Sequence, residues 1–229
     1  FTSLNEVVQK LEDHVYTAAN RTETVIEFEK NEQLKGLEYL DIIYNAVINR
    51  KAVELEYKSF KARQANTFYF HVWWLKEFKN RWFAVGIRQE DGQVVNLALD
   101  RIVTVRIADK VKYLPNDRIS ATDFYKDVIG VTVAHNSRPS NVLLEVTNQH
   151  APYIETKPLH HSQQVLKRWK SSILIQITVQ LNFELEKEIM GFGEGVRVIA
   201  PKRLRKSIYR KYKQALDSYD TAWGNHERE

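Results

Sequence analysis

The sequence predicts an α+β protein in which a small antiparallel β-barrel or sandwich precedes a ferredoxin-like unit. From Val53 onward, apolar and polar residues alternate through several short strands with no helix between them, which is typical of such a barrel or sandwich. From Val142 onward, the elements follow the order β-α-β-β-α-β of a split βαβ motif. Between these parts, residues 108–140 have weak periodicity and contain Pro115 and Pro139, so we interpret them as a linker.

Two helices are predicted ahead of the first strand. The first covers residues 3–19, where apolar residues recur at helical spacing at Leu4, Val7, Val8, Leu11 and Val15. The second ends at the basic pair Arg50 and Lys51, and its apolar face is formed by Leu37, Leu40, Tyr44, Val47 and Ile48. The chain begins at Phe1 without a methionine or a leader, so we expect it to be a fragment of a longer protein.

Four strands are predicted between residues 53 and 107. The first has Val53, Leu55 and Tyr57 on one face. The second places two sets of side chains on opposite faces, Phe68, Phe70, Val72 and Trp74 against Tyr69, His71, Trp73 and Leu75. The third spans residues 81–87, and the hairpin signal Asp91-Gly92 leads into a single long strand over residues 93–107.

The second part of the chain contains four further strands and three helices. Strands are predicted at residues 142–146, 163–169 and 173–180 and at Val196 and Val198, with a short helix at 150–156. A helix capped by Asn182 ends at Gly191, and the glycines that follow form a turn, since a phosphate-binding loop would precede a helix. Pro201 opens the last helix.

The last helix combines an apolar stripe with a basic surface. The stripe is formed by Leu204, Ile208, Tyr212 and Leu216, and seven Lys and Arg residues surround it. An apolar stripe needs a packing partner. The sheet of the same unit is one candidate and a second subunit is another, and we predict a homodimer because paired half-sites suit a two-fold regulator.

Composition excludes several classes of function. The chain has no cysteine, which excludes disulfide frameworks, thiolate zinc sites and thiol catalysis. No apolar run approaches the length of a membrane span. Adjacent His160 and His161 would point to opposite sides of a strand, and the other histidines lack ligand spacing, so we predict no metal and no cofactor. No arrangement of nucleophile and base is apparent, and we predict that the protein is not an enzyme.

Arg101 is the most informative residue of the predicted long strand. It shares its register with Leu97, Leu99, Val103, Val105 and Ile107, the residues that a barrel would bury. A buried guanidinium needs a carboxylate or an anionic ligand. Two hypotheses therefore remain open for Arg101, namely an internal salt bridge and a ligand anchor at the mouth of the barrel.

Residues 37–107 resemble a WYL domain, the sensor module of many bacterial transcriptional regulators. The residues that carry the resemblance are Tyr57, Ser59 and Phe60, then FHVWWLKE at 70–77, NRWFAVG at 80–86 and LDRI at 99–102. Residues 139–229 are similar to the C-terminal extension of such proteins, with TKPLHHSQ at 156–163, Phe192-Gly193, VRV at 196–198 and PKRL at 201–204. The chain departs from the pattern at Phe83 and Ala84, where the naming triad has Tyr and Leu, and at Val72-Trp73, where Pro-Tyr is usual.

The resemblance implies four parts. These are a helical connector from a missing DNA-binding domain at 1–36, an Sm-like β-barrel at 37–115, a linker at 116–138 and a ferredoxin-like domain at 139–229. It further implies a cytoplasmic regulator whose barrel binds a nucleotide or single-stranded nucleic acid and whose operator is bound by an upstream winged helix-turn-helix.

We expect the ligand to be contacted by basic and aromatic residues of the barrel, because such residues bind phosphates and stack on bases, together with the hydroxyl of Ser59. They are Tyr57, Lys58, Ser59, Arg63, His71, Trp73, Lys76, Arg81, Trp82 and Arg101. Arg81 and Trp82 alternate sides, so one of them is structural. Two alternatives stay open, namely an accessory protein that itself binds single-stranded nucleic acid, and a purely structural dimerisation module.

Overall fold

The computed structural model describes residues 35–117, 119–134 and 137–226. The chain forms two compact units that divide between Ile119 and Ser120. Each unit contains one antiparallel sheet and at least one helix, which confirms the α+β class. The predicted helix at residues 3–19 lies outside the described residues.

In its described part, residues 35–117 and 119, the first unit is a five-stranded antiparallel sheet with one α-helix. Helix α1 (Leu40–Ile48) follows a 3-10 turn, and the strands are β1 (Val53–Tyr57), β2 (Asn66–Phe78), β3 (Arg81–Arg88), β4 (Val94–Ala98) and β5 (Ile102–Ile107). Their order in the sheet is β4-β3-β2-β1-β5. Strands β4 and β5 form its two edges and do not pair with each other, so the part of the chain described does not form a closed barrel.

The single strand predicted over residues 93–107 is wrong. A 3-10 turn at Leu99–Arg101 divides it, and the chain passes from an edge beside β3 to an edge beside β1. Leu99, the first residue of the turn, and Ile102, the residue just after it, are both buried, so the apolar pattern continues through the turn. Val103, which we expected in the core, is 43% exposed. Arg101 therefore lies in the turn and does not share a strand register with the core residues.

The predicted alternation along β2 is interrupted at Trp73. Val72 pairs with Gly86 and Trp74 pairs with Val85, which leaves Trp73 without a partner in β3. Consequently Leu75, which we predicted on the face opposite to Phe70 and Val72, packs with them against the hydrophobic core of the first unit. Gly86 allows this irregularity because a Cβ at that position would lie 2.1 Å from the carbonyl oxygen of His71.

The second unit is a four-stranded antiparallel sheet with four helices in the described part. Its elements are α2 (Ala121–Tyr125), β6 (Ser140–Thr147), α3 (Ala151–Thr156), β7 (Gln164–Arg168), β8 (Ser172–Val179), α4 (Phe183–Gly191), β9 (Val196–Ala200) and α5 (Lys202–His226). The strand order is β7-β8-β6-β9. Aliphatic side chains of β6, β8, β9, α4 and α5 form its core.

The Asn182 side chain forms hydrogen bonds with two segments of this unit. Its Oδ1 accepts a hydrogen bond from the Leu185 amide at 2.9 Å, which is the predicted helix cap. Its Nδ2 donates to the carbonyl oxygens of Ile129 and Thr132, which belong to the segment interpreted as linker. Val128, Ile129 and Val131 are buried, so this segment is packed into the second unit. The apolar residues there are too few to produce a recognisable period.

Candidate functional site

The end of β1 and the 3-10 turn before β5 bring Tyr57 and Arg101 together. Tyr57 is the last residue of β1 and pairs with Ile102, the first residue of β5. The amide of the next residue, Lys58, donates a hydrogen bond to the carbonyl oxygen of Arg101 at 3.0 Å. Backbone hydrogen bonds thus hold Tyr57 and Arg101 on neighbouring rigid elements, as a binding site requires.

The Arg101 guanidinium lies in an aromatic environment with part of its hydrogen-bonding capacity unused. Its carbon is 4.3 Å from the centre of the Phe60 ring. Its Nε is buried and has no hydrogen-bond partner. Burial raises the pKa of the neighbouring Tyr57 hydroxyl, against the positive charge of Arg101, which lowers it. A buried donor without a partner is costly, and a guanidinium binds carboxylate or phosphate oxygens best.

The carboxylate next to Arg101 has a different partner. Asp100 Oδ2 lies 3.5 Å from Arg81 Nη2, and the Asp100 side chain is only 11% exposed. Among the described residues, no carboxylate forms an ion pair with Arg101. In the described structure, Asp100 therefore pairs with Arg81. The internal salt bridge that we considered for Arg101 is not observed among these residues.

His71 and Trp73 lie away from Arg101. In β2, Asn66 pairs with Tyr57 at one end of β1, whereas Phe70 pairs with Val53 at the other end. His71 and Trp73 follow Phe70, so they lie beyond the far end of β1. The structure therefore does not bring the ten predicted residues into one pocket.

Both polar atoms of the buried His71 ring have partners. Nδ1 accepts the Leu114 amide at 3.2 Å, and Nε2 lies 3.1 Å from Gln89 Oε1. Burial lowers the pKa of His71. The geometry and the lowered pKa fit a neutral ring that donates from Nε2 to Gln89. His71 is thus used to hold the Leu114 segment and offers no atom to a ligand.

The other predicted residues divide between the site and the rest of the first unit. Lys58 is exposed and Ser59 is half-buried, and both immediately precede Phe60. Trp82 packs against the hydrophobic core of the first unit, and Lys76 pairs with Phe83 within the sheet. Arg63 is exposed, and no contact joins it to Arg101 in the described structure. Phe60 was absent from our predicted site, although its position between basic and hydroxyl residues just after a strand could have indicated it.

Two domain families match the chain. Residues 38–107 match the WYL domain and residues 138–216 match the WCX domain. The chain combines a WYL domain with a WCX domain. The site around Tyr57 and Arg101 lies entirely within the WYL domain.

Comparison with other proteins gives distant structural similarity. No curated protein matches the chain. Proteasome accessory factor B/C of Arthrobacter aurescens is 16% identical, with a TM-score of 0.39 over 88% of this chain and 30% of that one. A CRISPR Cas-related protein is 10% identical, with a TM-score of 0.49 over 82% of this chain and 53% of that one. The chain thus spans less than two thirds of the length of either protein.

The paired histidines of the WCX domain lie in a turn, so our expectation that they point apart in a strand is wrong. Their ring centres are 4.0 Å apart. His160 Nε2 lies 2.9 Å from the Lys126 carbonyl oxygen and Nδ1 lies 2.8 Å from Ser162 Oγ. Burial and the neighbouring His161 both lower the pKa of His160. Both ring nitrogens of His160 therefore form hydrogen bonds within the protein.

The described part of the chain contains no group of three or more His, Asp or Glu residues that could hold a metal ion. Nor does any helix in these residues have the length and apolar character needed to cross a membrane.

Proposed function

We propose that this chain is the effector-sensing part of a bacterial transcriptional regulator. Its WYL domain would bind a nucleotide or single-stranded nucleic acid at the site formed by Tyr57, Phe60 and Arg101, and binding would control an upstream domain that contacts operator DNA. The observation that carries the proposal is the Arg101 guanidinium, which has a buried Nε without a hydrogen-bond partner and lies against an aromatic ring. The WYL family match supports a sensing role.

The chemistry of the site fits a phosphate attached to a base. Arg101 would bind phosphate oxygens through charge-assisted hydrogen bonds. Phe60 is 71% exposed and offers a ring surface on which a base can stack. Tyr57 would supply a neutral hydroxyl beside the phosphate, since burial raises its pKa even further above neutral pH. We propose no catalytic step, no cofactor and no metal for this site.

We also propose an Sm-like fold for the WYL domain and a ferredoxin-like fold for the WCX domain, as the resemblance implies. The order β4-β3-β2-β1-β5, with a helix before β1, supports an Sm-like arrangement for the WYL domain. The order β7-β8-β6-β9, with helices after β6 and β8, supports a ferredoxin-like arrangement for the WCX domain. We also propose a homodimeric, cytoplasmic protein.

Substitution of Arg101 tests the proposed site. Arg101→Gln removes a charge-assisted contact, so the affinity for a labelled single-stranded oligonucleotide of about ten residues should fall by roughly ten- to a hundredfold. The melting temperature should change little, because no described carboxylate loses its partner. Fluorescence anisotropy and thermal unfolding on the same samples measure both effects. Binding should also weaken as salt rises, since phosphate contacts release counterions.

Lys110→Gln is the matched control, because Lys110 is exposed and the substitution changes the net charge equally. It should bind the oligonucleotide like the wild type. A large fall in the melting temperature of Arg101→Gln, with unchanged binding by the folded fraction, would show that Arg101 has a structural role.

A further inference from the structure

A groove of about 450 Å³ lies in the WYL domain at the end of β1 opposite to Tyr57. It is lined by Val47, Arg50, Trp73, Tyr113, Pro115 and Asn116. Arg50 precedes β1 and Tyr57 ends it, and strand geometry places the two ends of β1 about 13 Å apart. The groove is therefore separate from the Arg101 site, and its volume is within the range of small-molecule sites.

Arg50 occupies a position at which glycine or asparagine is usual. The Arg50 amide donates to the Val47 carbonyl oxygen and the Lys51 amide donates to that of Ala46, which is the hydrogen-bond pattern of a Schellman motif after α1. Arg50 has the left-handed φ of 50° that this motif requires. An arginine there costs roughly 1 kcal/mol or more compared with glycine. The hydrogen bonds of the motif hold Arg50 in this conformation beside the groove that it lines.

The aromatic walls of the groove are held in place. Trp73 Nε1 donates to the Leu114 carbonyl oxygen at 3.0 Å, and the Tyr113 hydroxyl donates to the Val72 carbonyl oxygen at 2.7 Å. The polar atoms of both side chains are thus hydrogen-bonded to backbone carbonyl oxygens. The two rings are therefore held in fixed positions, and walls that are already ordered reduce the entropic cost of binding.

Arg50 supplies the only cationic side chain among the described residues that line the groove. No carboxylate in the described structure pairs with it. Its positive charge acts on Tyr113, whose pKa is raised by burial and lowered by Arg50. A single guanidinium between aromatic walls matches a ligand with one negative charge and a planar ring, and a carboxylate is the planar anion that a guanidinium binds through two parallel hydrogen bonds.

We propose that this groove is a second ligand site of the WYL domain and binds a small aromatic carboxylate. The carboxylate contacts Arg50, and the ring lies between Trp73 and Tyr113. This ligand class differs from the nucleotide or nucleic acid proposed for the Arg101 site, and the two sites use no common residue.

Calorimetric titration of the whole chain with 2-naphthoate tests the proposal. We expect one molecule bound per chain, and binding at least about tenfold weaker for Arg50→Asn and for the uncharged analogue 2-naphthylmethanol. Asparagine tolerates the left-handed backbone, so the variant should fold. Arg50→Gly, which carries the residue usual at this position, provides a second variant with the same expected loss.

Lys79→Asn is the matched control, because Lys79 has a similar φ of 49° and the same charge is removed. It should bind 2-naphthoate within about twofold of the wild type. Arg101→Gln should do the same. The proposal is overturned if 2-naphthoate does not bind at millimolar concentration, or if both Arg50 variants bind it as well as the wild type. Loss of binding in Arg101→Gln alone would place the ligand at the other site, which also overturns the proposal.

Discussion

Arg101 and Asp100 are adjacent in the 3-10 turn, yet their side chains contact different partners. Asp100 pairs with Arg81 from β3, whereas Arg101 lies over Phe60 from the segment after β1. In a regular strand these neighbours would point to opposite faces. The turn instead places a cation with unused donor capacity beside a carboxylate that pairs with Arg81. An anion can therefore approach Arg101 with reduced repulsion from Asp100.

At the same scale, His71 makes the stability of the WYL domain depend on pH. Burial lowers its pKa in the folded state, so at pH values below the ordinary value of about 6.5 the unfolded chain binds more protons than the folded one. The contribution of neutral His71 is fully present above about pH 6.5 and is lost as the pH falls toward the folded-state pKa. Hydrogen-exchange protection of β2 and β3 should decrease accordingly between about pH 7.5 and 5.5.

His71→Gln is the variant that isolates this effect. It should be less stable at neutral pH, because the Leu114 amide loses its buried acceptor, but its protection should change less with pH. His160 also has a lowered pKa, and measuring exchange only in the first unit avoids its contribution. An equal pH response in the variant and the wild type would argue against His71 as the source.

At the scale of elements, Gly36 supports the turn that carries Arg101. It has a φ of 90°, and a Cβ there would lie 2.5 Å from the backbone nitrogen of Asp100. We expect Gly36→Ala to displace the turn, so that both the melting temperature and oligonucleotide affinity fall. The cost beyond backbone strain should be roughly 1–3 kcal/mol, as for other substitutions that overfill a packed site.

Gly92→Ala is the matched control for Gly36→Ala. Gly92 also has a positive φ, of 64°, but a Cβ there would meet nothing within 4 Å. It should cost only the strain of the left-handed backbone, about 1 kcal/mol, and leave ligand affinity unchanged. Similar losses in the two variants would mean that close packing at Gly36 does not hold the turn.

Helix α5 is packed at its beginning and exposed further along. Leu204 is 1% exposed and belongs to the hydrophobic core of the second unit, whereas Leu216 is 61% exposed. Leu204→Ala should therefore destabilise the WCX domain by roughly 2–5 kcal/mol. Leu216→Ala should stay within about 0.5 kcal/mol of the wild type in chemical denaturation. A large cost at Leu216 would show that a further surface covers it.

The elements of the second unit were predictable because local signals mark their ends. Asn182 caps α4 through the Leu185 amide, and Gly193 takes a φ of 55° after it. The first unit lacks such marks at its two irregularities. Apolar residues continue through the turn at Leu99–Arg101, and the unpaired Trp73 is as apolar as its neighbours. Both irregularities depend on glycines distant in sequence, Gly36 and Gly86, that allow close backbone contact.

The candidate site was predictable only in part for the same reason. Tyr57 and Arg101 were found from the strand pattern and the resemblance. Their grouping with His71 and Trp73 assumed that basic and aromatic residues of one sheet share one pocket. The length of β1 separates them, and which end of a strand a side chain occupies depends on the pairing register, which a single sequence does not reveal.

At the scale of the whole molecule, we predict a homodimer in solution. A regulator that reads paired half-sites needs two-fold symmetry, and closed two-fold dimers are the commonest soluble assemblies. Sedimentation velocity on the chain should show a dimer at tens of micromolar protein. A monomer at that concentration would contradict the prediction without affecting either proposed ligand site.

The hydrogen bonds from β2 to Tyr113 and Leu114 have a consequence for the synthesis of the protein. His71 leaves the ribosome 43 residues before Leu114, whose amide donates to the buried His71 ring. At about 5–20 residues per second, the delay is roughly 2–9 s. All five strands of the sheet have been made by the end of that time, but β2 lacks its hydrogen bonds to Tyr113 and Leu114 until then. A nascent chain that stops at residue 107, where the WYL family match ends, would therefore contain every strand and remain incompletely folded.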